Sequence, residues 1–391
     1  MSLPPWCQSA LLLLTAISAL FWLGGAFQLY AGARRLRGLD EVEPLADDAL
    51  PSVTVVAAAK DEAARVEQAA RSLLAVDYPR LEIVMVDDRS SDGTGAILDR
   101  VAAEDPRLRV IHLTTLPEGW IGKCHALSVG EAAARAEWIL FTDGDVVQHE
   151  GALRRAVTYA LTERADHLAV GLDAEVRGLG EAIFIGYFLA VFFISQRPWN
   201  APDPRSKDHI GIGAFNLVRR EAYERAGGHA ALRMELLDDL ALGAIVKRSG
   251  GRSLFALPDS MVRTRWHAGV LGLIRGVEKN AFAALDFRPW YAAYAVTMQV
   301  VTSVIPLVGL VVGGTWTRAF AILAWSGVFL VYSTTANYAQ VRWWQAAFMP
   351  VGGVLFGVAI ARSTWLALRR GGIVWRGTFY PLAELRKGRV R

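Results

Sequence analysis

The sequence predicts an α/β fold with a mostly parallel sheet and helices on both faces, plus transmembrane helices at both ends. Three observations predict it. From Ser52 onward, short apolar runs alternate with helix-patterned stretches of about 10–15 residues, the signature of βαβ units. The apolar excess, 53% of 391 residues, gathers at the two ends, while most charged residues lie between them. Acidic residues cluster where successive apolar runs stop, and right-handed crossovers bring all those stops to one sheet edge.

Composition excludes several classes. A formal net charge of +4 gives no basic surface for nucleic acid. The two cysteines, Cys7 and Cys124, are far apart and lack metal-ligand spacing, so neither a disulfide framework nor a zinc site is expected. There is no internal repeat and no long low-complexity segment.

Residues 10–31 are a mostly apolar run long enough to span a bilayer. Ala31-Gly-Ala33 resembles a cleavage site, but Met1 to Gln8 lacks the positive charge of a signal peptide. Arg34, Arg35 and Arg37 follow the run, so the positive-inside rule places the N-terminus outside and the next segment in the cytoplasm. The expected reading is an uncleaved anchor over residues 1–37. Residues 38–51, acidic and with two prolines, read as a linker.

The next stretch alternates. Strands are expected at 53–59, 83–86, 109–113 and 138–141. Helices are expected at 62–75, 95–104 and 123–135. The first strand ends in Lys60-Asp61-Glu62, the second in Asp87-Asp88-Arg89-Ser-Ser-Asp-Gly93, and the fourth in Asp143-Gly144-Asp145. Like charges so crowded need a cation or hydrogen-bond donors. A nucleotide with a magnesium or manganese ion supplies both, and magnesium typically takes one or two carboxylates plus phosphate oxygens. By itself Asp-Gly-Asp also fits a polar turn, and Asp87-Asp88 a capped turn. No glycine-rich dinucleotide fingerprint follows the first strand.

Val84-Met-Val-Asp-Asp-Arg-Ser-Ser-Asp-Gly-Thr94, taken with Asp143-Gly144-Asp145, resembles the family 2 glycosyltransferases, which have the GT-A fold. The resemblance covers about residues 52–290. It implies that Asp61 and Asp87 or Asp88 contact the nucleoside of a nucleotide-sugar. It also implies that Asp143 and Asp145 hold the divalent metal on the diphosphate. Gly119-Trp-Ile-Gly-Lys-Cys-His-Ala-Leu127 looks like membrane-bound members that glycosylate lipids, the ceramide glucosyltransferases and hopene-associated glycosyltransferases among them. Lys123, before an expected helix, suits the diphosphate. Cys124 reads as packed, and His125 as structural.

Glu235-Leu-Leu-Asp-Asp-Leu240 opens an amphipathic helix running to about Arg248. Acids there can merely cap a helix. The resemblance makes Asp239 the catalytic base, with Asp238 where Glu is usual and Glu235 as the next candidate. The glycines of Gly211-Ile-Gly213 read as a turn whose backbone approaches a ligand. Arg265 and Trp266 match the family's Gln-x-x-Arg-Trp motif at the acceptor or phosphate side, while Val262 replaces its glutamine.

Residues 179–196 are apolar and read as a helix at the membrane surface, with a buried core helix equally compatible by length. Three further spans are expected at 296–314, 319–336 and 346–361, preceded by Trp290, Tyr291 and Tyr294 as an interfacial belt. Three crossings place the C-terminus outside. Residues 369–391 carry seven basic residues and one acid, which argues for inside. One segment is therefore expected to be re-entrant, and the last, containing Pro350, is the best fit.

These readings converge on a cytoplasmic catalytic domain at 52–290, a C-terminal membrane region at 291–368 and a basic tail at 369–391. The expected protein is a multi-pass enzyme of the bacterial inner membrane. It moves a sugar, with inversion, from a nucleotide-sugar such as a UDP-sugar to a membrane lipid. The rivals are a processive polysaccharide synthase, which calls for more spans and an intact Gln-x-x-Arg-Trp, and a non-catalytic membrane scaffold.

Overall fold

The structure is a computed structural model that describes residues 4–336 and 342–390. Residues 1–3 of the expected anchor, residues 337–341 and Arg391 of the basic tail lie outside the described residues. In chain order, α1 (Pro5–Ala33) is followed by β1 (Arg37–Gly38), β2 (Val53–Ala59), α2 (Val66–Leu74) and β3 (Leu81–Asp88). Next come α3 (Thr94–Ala102), β4 (Leu108–Leu113), α4 (Gly122–Ala133), β5 (Trp138–Asp143), α5 (Ala152–Thr162) and β6 (His167–Val170). After α6 (Leu179–Gln196) come β7 (Asn216–Arg219), α7 (Arg220–Arg225), α8 (Asp238–Arg248) and β8 (Ser253–Leu257). The chain continues with α9 (Gly269–Ala284), α10 (Pro289–Ser303), α11 (Ile305–Val312), α12 (Thr315–Ala336), α13 (Met349–Arg370) and α14 (Leu382–Lys387).

Two compact units interleave along this sequence. The α/β unit comprises Leu36–Asp173, Pro198–Thr264 and Arg376–Arg391, and the helical unit the remainder. This division differs from the contiguous blocks expected above. Residues 174–197 and 265–290 group with the helices, while most of the basic tail groups with the sheet.

The eight-stranded sheet has the order β1-β8-β6-β7-β5-β2-β3-β4, all pairings parallel except those of β7. Side chains alternate across it, as the pleat requires. Val53, Val55, Ala57 and Ala59 of β2 join a core with α2, α3 and α5. On the opposite face Val56 meets Leu127 of α4, Ala222 of α7 and Leu242 of α8. Helices therefore cover both faces. The helix after β2 begins at Val66 rather than Glu62, because the backbone N–H groups of Asp61, Glu62 and Ala63 donate to Ser90, Thr94 and Asp92 in the loop after β3.

Within the helical unit, α1 packs against α10 and α12. Pro306 has no N–H to return to the Thr302 carbonyl. Trp22 Nε1 at 2.7 Å and Ser18 Oγ at 3.3 Å donate to it instead, and the helix breaks between α10 and α11. Pro350, by contrast, sits in the first turn of the 22-residue α13, where a missing N–H costs nothing. The segment read at 346–361 as short is thus longer than expected and continuous, and the interrupted helix is the one containing Pro306. Helix α6 packs against α9 and α13 with Phe184, Tyr187 and Phe193 buried, while Leu179 at its start is exposed. Among the described residues, five helical stretches are long and apolar enough to cross a membrane: Pro5–Ala33, Leu179–Asn200, Pro289–Val312, Thr315–Ala336 and Trp343–Arg370. Leu13, Leu20 and Phe27 of α1, Ile322 and Leu330 of α12, and Val351, Val354 and Val358 of α13 are exposed. Such faces suit lipid.

Candidate active site

The parallel register aligns the strand ends. Ala59 pairs with Asp87, and Ala58 with Asp143. The acids after β2, β3 and β5 therefore reach the carboxyl edge of the sheet, where α/β folds bind ligands. Gly144 fits between Asp143 and Asp145 because its N–H bonds the Ala58 carbonyl at 3.1 Å, and a Cβ there would stand 2.8 Å from that of Ala59.

Lys123, in the first turn of α4, joins the strand edge to α8. Its Nζ lies 2.7 Å from Asp143 Oδ1 and 3.3 Å from Asp238 Oδ2. Burial would lower its pKa, but the charges of Asp143, Asp238 and Asp239 outweigh that and hold it well above the usual lysine value. Asp239 Oδ2 accepts the Gly213 N–H and Oδ1 accepts the Leu240 N–H, both at 2.9 Å. Two of about four carboxylate lone-pair sites are so used. Its carbonyl accepts from Asn216 Nδ2 at 3.2 Å, and Asn216 Oδ1 meets His167 Nε2 at 2.6 Å. The Gly211–Gly213 turn was expected to approach a ligand. At Gly211 it packs on Asp239, where a Cβ would lie 1.8 Å from the Asp239 carbonyl oxygen. Lys123, Thr142, Gly213, Asn216, Asp238 and Asp239 line one recess.

Asp145 turns to other partners. Arg65 Nη1 lies 3.3 Å from its Oδ2, and Thr264 Oγ1 donates to its carbonyl at 3.0 Å. Burial, with the charges of Asp143 and Glu62, raises its pKa to about 6. Among the described residues no group of three His, Cys, Asp or Glu is arranged for a metal. Two carboxylates nevertheless fit an ion completed by water and phosphate oxygens, and crowded acids gain from a cation.

The expected nucleoside contacts lie further along the edge. Asp61, at φ 51°, accepts the Ser91 N–H at 2.8 Å. Asp87 accepts the Ser90 N–H at 3.2 Å and meets His112 Nδ1 at 3.1 Å, while His112 Nε2 meets Asp99 at 2.9 Å. Bonding to Asp87, then to Asp99, raises the His112 pKa. Asp88 forms a fork with Arg89, at 2.7 and 2.9 Å.

The remaining candidates divide. In the helical unit Arg265 Nη2 lies 3.2 Å from Glu181, and the Trp266 ring meets Phe188 at 4.8 Å. In the α/β unit the second-choice base, Glu235, is buried and ion-paired to Arg389 at 2.6 Å. Cys124 is buried against the Glu235 carbonyl, and His125 lies beside Trp120. Sequence reasoning missed Arg65, His112, Asn216, Thr264 and the basic-tail contacts. Of these only His112 carried a signal, since it stands near the end of an expected strand, in β4 opposite Asp87.

A family model described as glycosyl transferase family 2 matches residues 54–227. The chain is 36% identical over 151 residues to a succinoglycan biosynthesis protein, ExoO, of Rhizobium meliloti, covering 39% of this chain and 40% of that one. It is 33% identical over 155 residues to a beta-monoglucosyldiacylglycerol synthase of Synechocystis, covering 36% of this chain and 32% of the relative. The chain thus spans well under half the length of these two relatives. It is 22% identical to a 4,4'-diaponeurosporenoate glycosyltransferase of Staphylococcus aureus, covering 85% of this chain and 89% of that one. The mannosyltransferase PcManGT of Pyrobaculum calidifontis, solved with GDP-Man and Mn2+, has a similar fold: TM-score 0.56, 19% identity, 91% of this chain and 99% of that one. Residues 54–227 thus resemble a glycosyl transferase family 2 domain, and the parallel sheet with its acid-lined edge has the GT-A fold.

Proposed function

We propose that the protein is an inverting glycosyltransferase that moves a sugar from a nucleotide-sugar, with UDP-sugars the first candidates, to a membrane lipid. The observation that carries this reading is the convergence of Asp143, Lys123, Asp238 and Asp239 at the carboxyl edge of the sheet. One carboxylate there faces the strand edge and another is held by backbone donors, as a donor site and a base require. A lipid acceptor is supported by two relatives whose names join sugars to a diacylglycerol and to a carotenoid acid. It is also supported by the five apolar helical stretches. Arg34, Arg35 and Arg37 after α1 favour a cytoplasmic α/β unit at the bacterial inner membrane.

In this mechanism the acceptor hydroxyl oxygen attacks the anomeric carbon as its proton passes to Asp239. The bond from that carbon to the diphosphate breaks, and its electron pair leaves with the diphosphate. Gly213 and Leu240 fix the Asp239 carboxylate while lone pairs stay open for the proton. Lys123 holds Asp238 and Asp143 in place and keeps the acid cluster from drawing protons. Asp61, Asp87 and Asp88 bind the nucleoside. Asp143 and Asp145 would hold a divalent ion, which when bound supplies positive charge against the diphosphate.

A saccharide acceptor is the second reading, favoured by the succinoglycan biosynthesis relative. Purified protein is incubated with labelled UDP-glucose, UDP-N-acetylglucosamine or GDP-mannose and a total membrane lipid extract. Label in the organic phase supports the proposal, label in aqueous oligosaccharide supports the rival, and no label in either overturns both.

A further inference from the structure

Residues 376–390 group with the α/β unit, although the helices separate them from it in sequence. They meet the site's edge at three places. Arg376 donates to the Lys60 carbonyl and to the Glu62 carboxylate, on either side of Asp61. The Tyr380 hydroxyl accepts the Gly122 N–H at 3.1 Å, one residue before Lys123. Arg389 Nη1 donates to Glu235 Oε1 at 2.6 Å, and the Val390 N–H to Oε2 at 3.1 Å. Glu235, 1% exposed, stands three residues before Asp238. Leu382 and Leu385 are buried, and Val390 packs against the cluster that contains Leu242 and Ile245 of α8.

Each contact falls on a different catalytic segment: the turn after β2, the start of α4 and the loop into α8. A carboxylate as buried as Glu235 needs its cation, and removing one partner leaves an uncompensated charge that the loop must move to hydrate. That loop ends at the two acids facing Lys123.

We propose that residues 376–390 are a positioning strap for the transfer site, in which Arg389, acting through Glu235, sets where Asp238 and Asp239 stand against Lys123. This rests on the glycosyltransferase reading. Arg389 touches no reacting atom, so its removal acts on alignment. Misplacing a group by about 1 Å costs about 10²-fold. The nucleoside contacts lie on other segments and are spared.

The test uses the full chain in detergent, with UDP and GDP binding in MnCl2 counting intact sites and labelled transfer to lipid extract giving kcat and donor KM. Arg389→Gln should lower kcat per nucleotide-binding site by about 10–100-fold, with donor KM and UDP affinity within about threefold of wild type. Arg389→Lys, which keeps the charge, should recover most of the loss. The double variant Glu235→Gln, Arg389→Gln leaves no unpaired buried charge. It should regain thermal stability while kcat stays low, because the link to the loop is gone. A purely structural role for Arg389 predicts normal kcat per intact site in both variants, and that result overturns the strap. Should the single variant fail to fold, the double variant decides alone. A wild-type protein that neither binds a nucleotide nor transfers label overturns the glycosyltransferase reading and the strap with it.

Discussion

Replacing Asp239 by asparagine separates the base from the rest of the site. Its two oxygens accept the Gly213 and Leu240 N–H groups at 2.9 Å each. Asparagine keeps one oxygen, so one backbone donor loses its acceptor, a local cost of about 1–3 kcal/mol. That cost stays on the turn and the α8 start, because Asp143 is held independently by Lys123 at 2.7 Å. Loss of the general base lowers the rate by about 10²–10⁴, or about 2.7–5.4 kcal/mol of barrier. The neighbour behaves differently. Asp238→Asn removes one charge 3.3 Å from Lys123 and leaves that of Asp143. An amide oxygen can still accept from Lys123, so the expected loss is about tenfold or less, ~1.4 kcal/mol. The assay pairs label transfer to lipid extract with UDP binding in MnCl2 for both variants. A dead Asp238→Asn beside an active Asp239→Asn would refute the assignment. So would loss of UDP affinity in Asp239→Asn equal to its loss of rate.

Three further outcomes are expected. Asp145→Ala should remove the manganese dependence of UDP binding with the circular dichroism spectrum unchanged; calorimetry showing an unaltered metal effect contradicts the metal assignment. Gly213→Ala would set a Cβ 2.8 Å from Asp143 Oδ2 and 3.3 Å from both Asp239 Oδ2 and Lys123 Nζ, so transfer should fall at least about tenfold with a melting temperature near wild type. His112, raised by Asp87 and Asp99, should titrate above 6.5 by NMR and move down in Asp99→Asn. The stability it contributes is full below 6.5 and is lost as pH rises through its folded value, so a loss confined to acid pH is the wrong sign.

The legible parts of this protein were those written locally. Short apolar runs alternating with helix patterns marked β2 with the bounds observed, and the acids at strand ends marked the carboxyl edge. Helix α6 was placed along the chain with the bounds observed, and its surroundings, membrane surface or helical core, were left open by the sequence. Its apolar composition is the same whether it faces lipid or other helices, and its packing against α9 and α13 depends on chain more than 70 residues away. Pro350 counted toward a short last segment because its position relative to the helix start was unknown. Pro306 did break its helix, yet the Trp22 and Ser18 donors that compensate lie in α1. Glu235 looked like a spare base until Arg389 was found on it, 154 residues along the chain. Pairings of that range leave no periodicity behind, so composition and spacing cannot reveal them. Arg265 and Trp266 match a motif expected beside the acceptor, and their contacts in the helical unit, with Glu181 and Phe188, were not foreseeable from it.

In the proposed mechanism a sugar leaves a nucleotide in a single displacement with Asp239 as base. The most direct measurement is proton NMR of the glycosylated lipid made by purified protein from an α-linked nucleotide-sugar, with diphosphate release quantified in the same sample. A β-anomeric product is expected, with one nucleoside diphosphate released per sugar transferred and neither signal from Asp239→Asn. An α-anomeric product would require a second nucleophile and would contradict that mechanism.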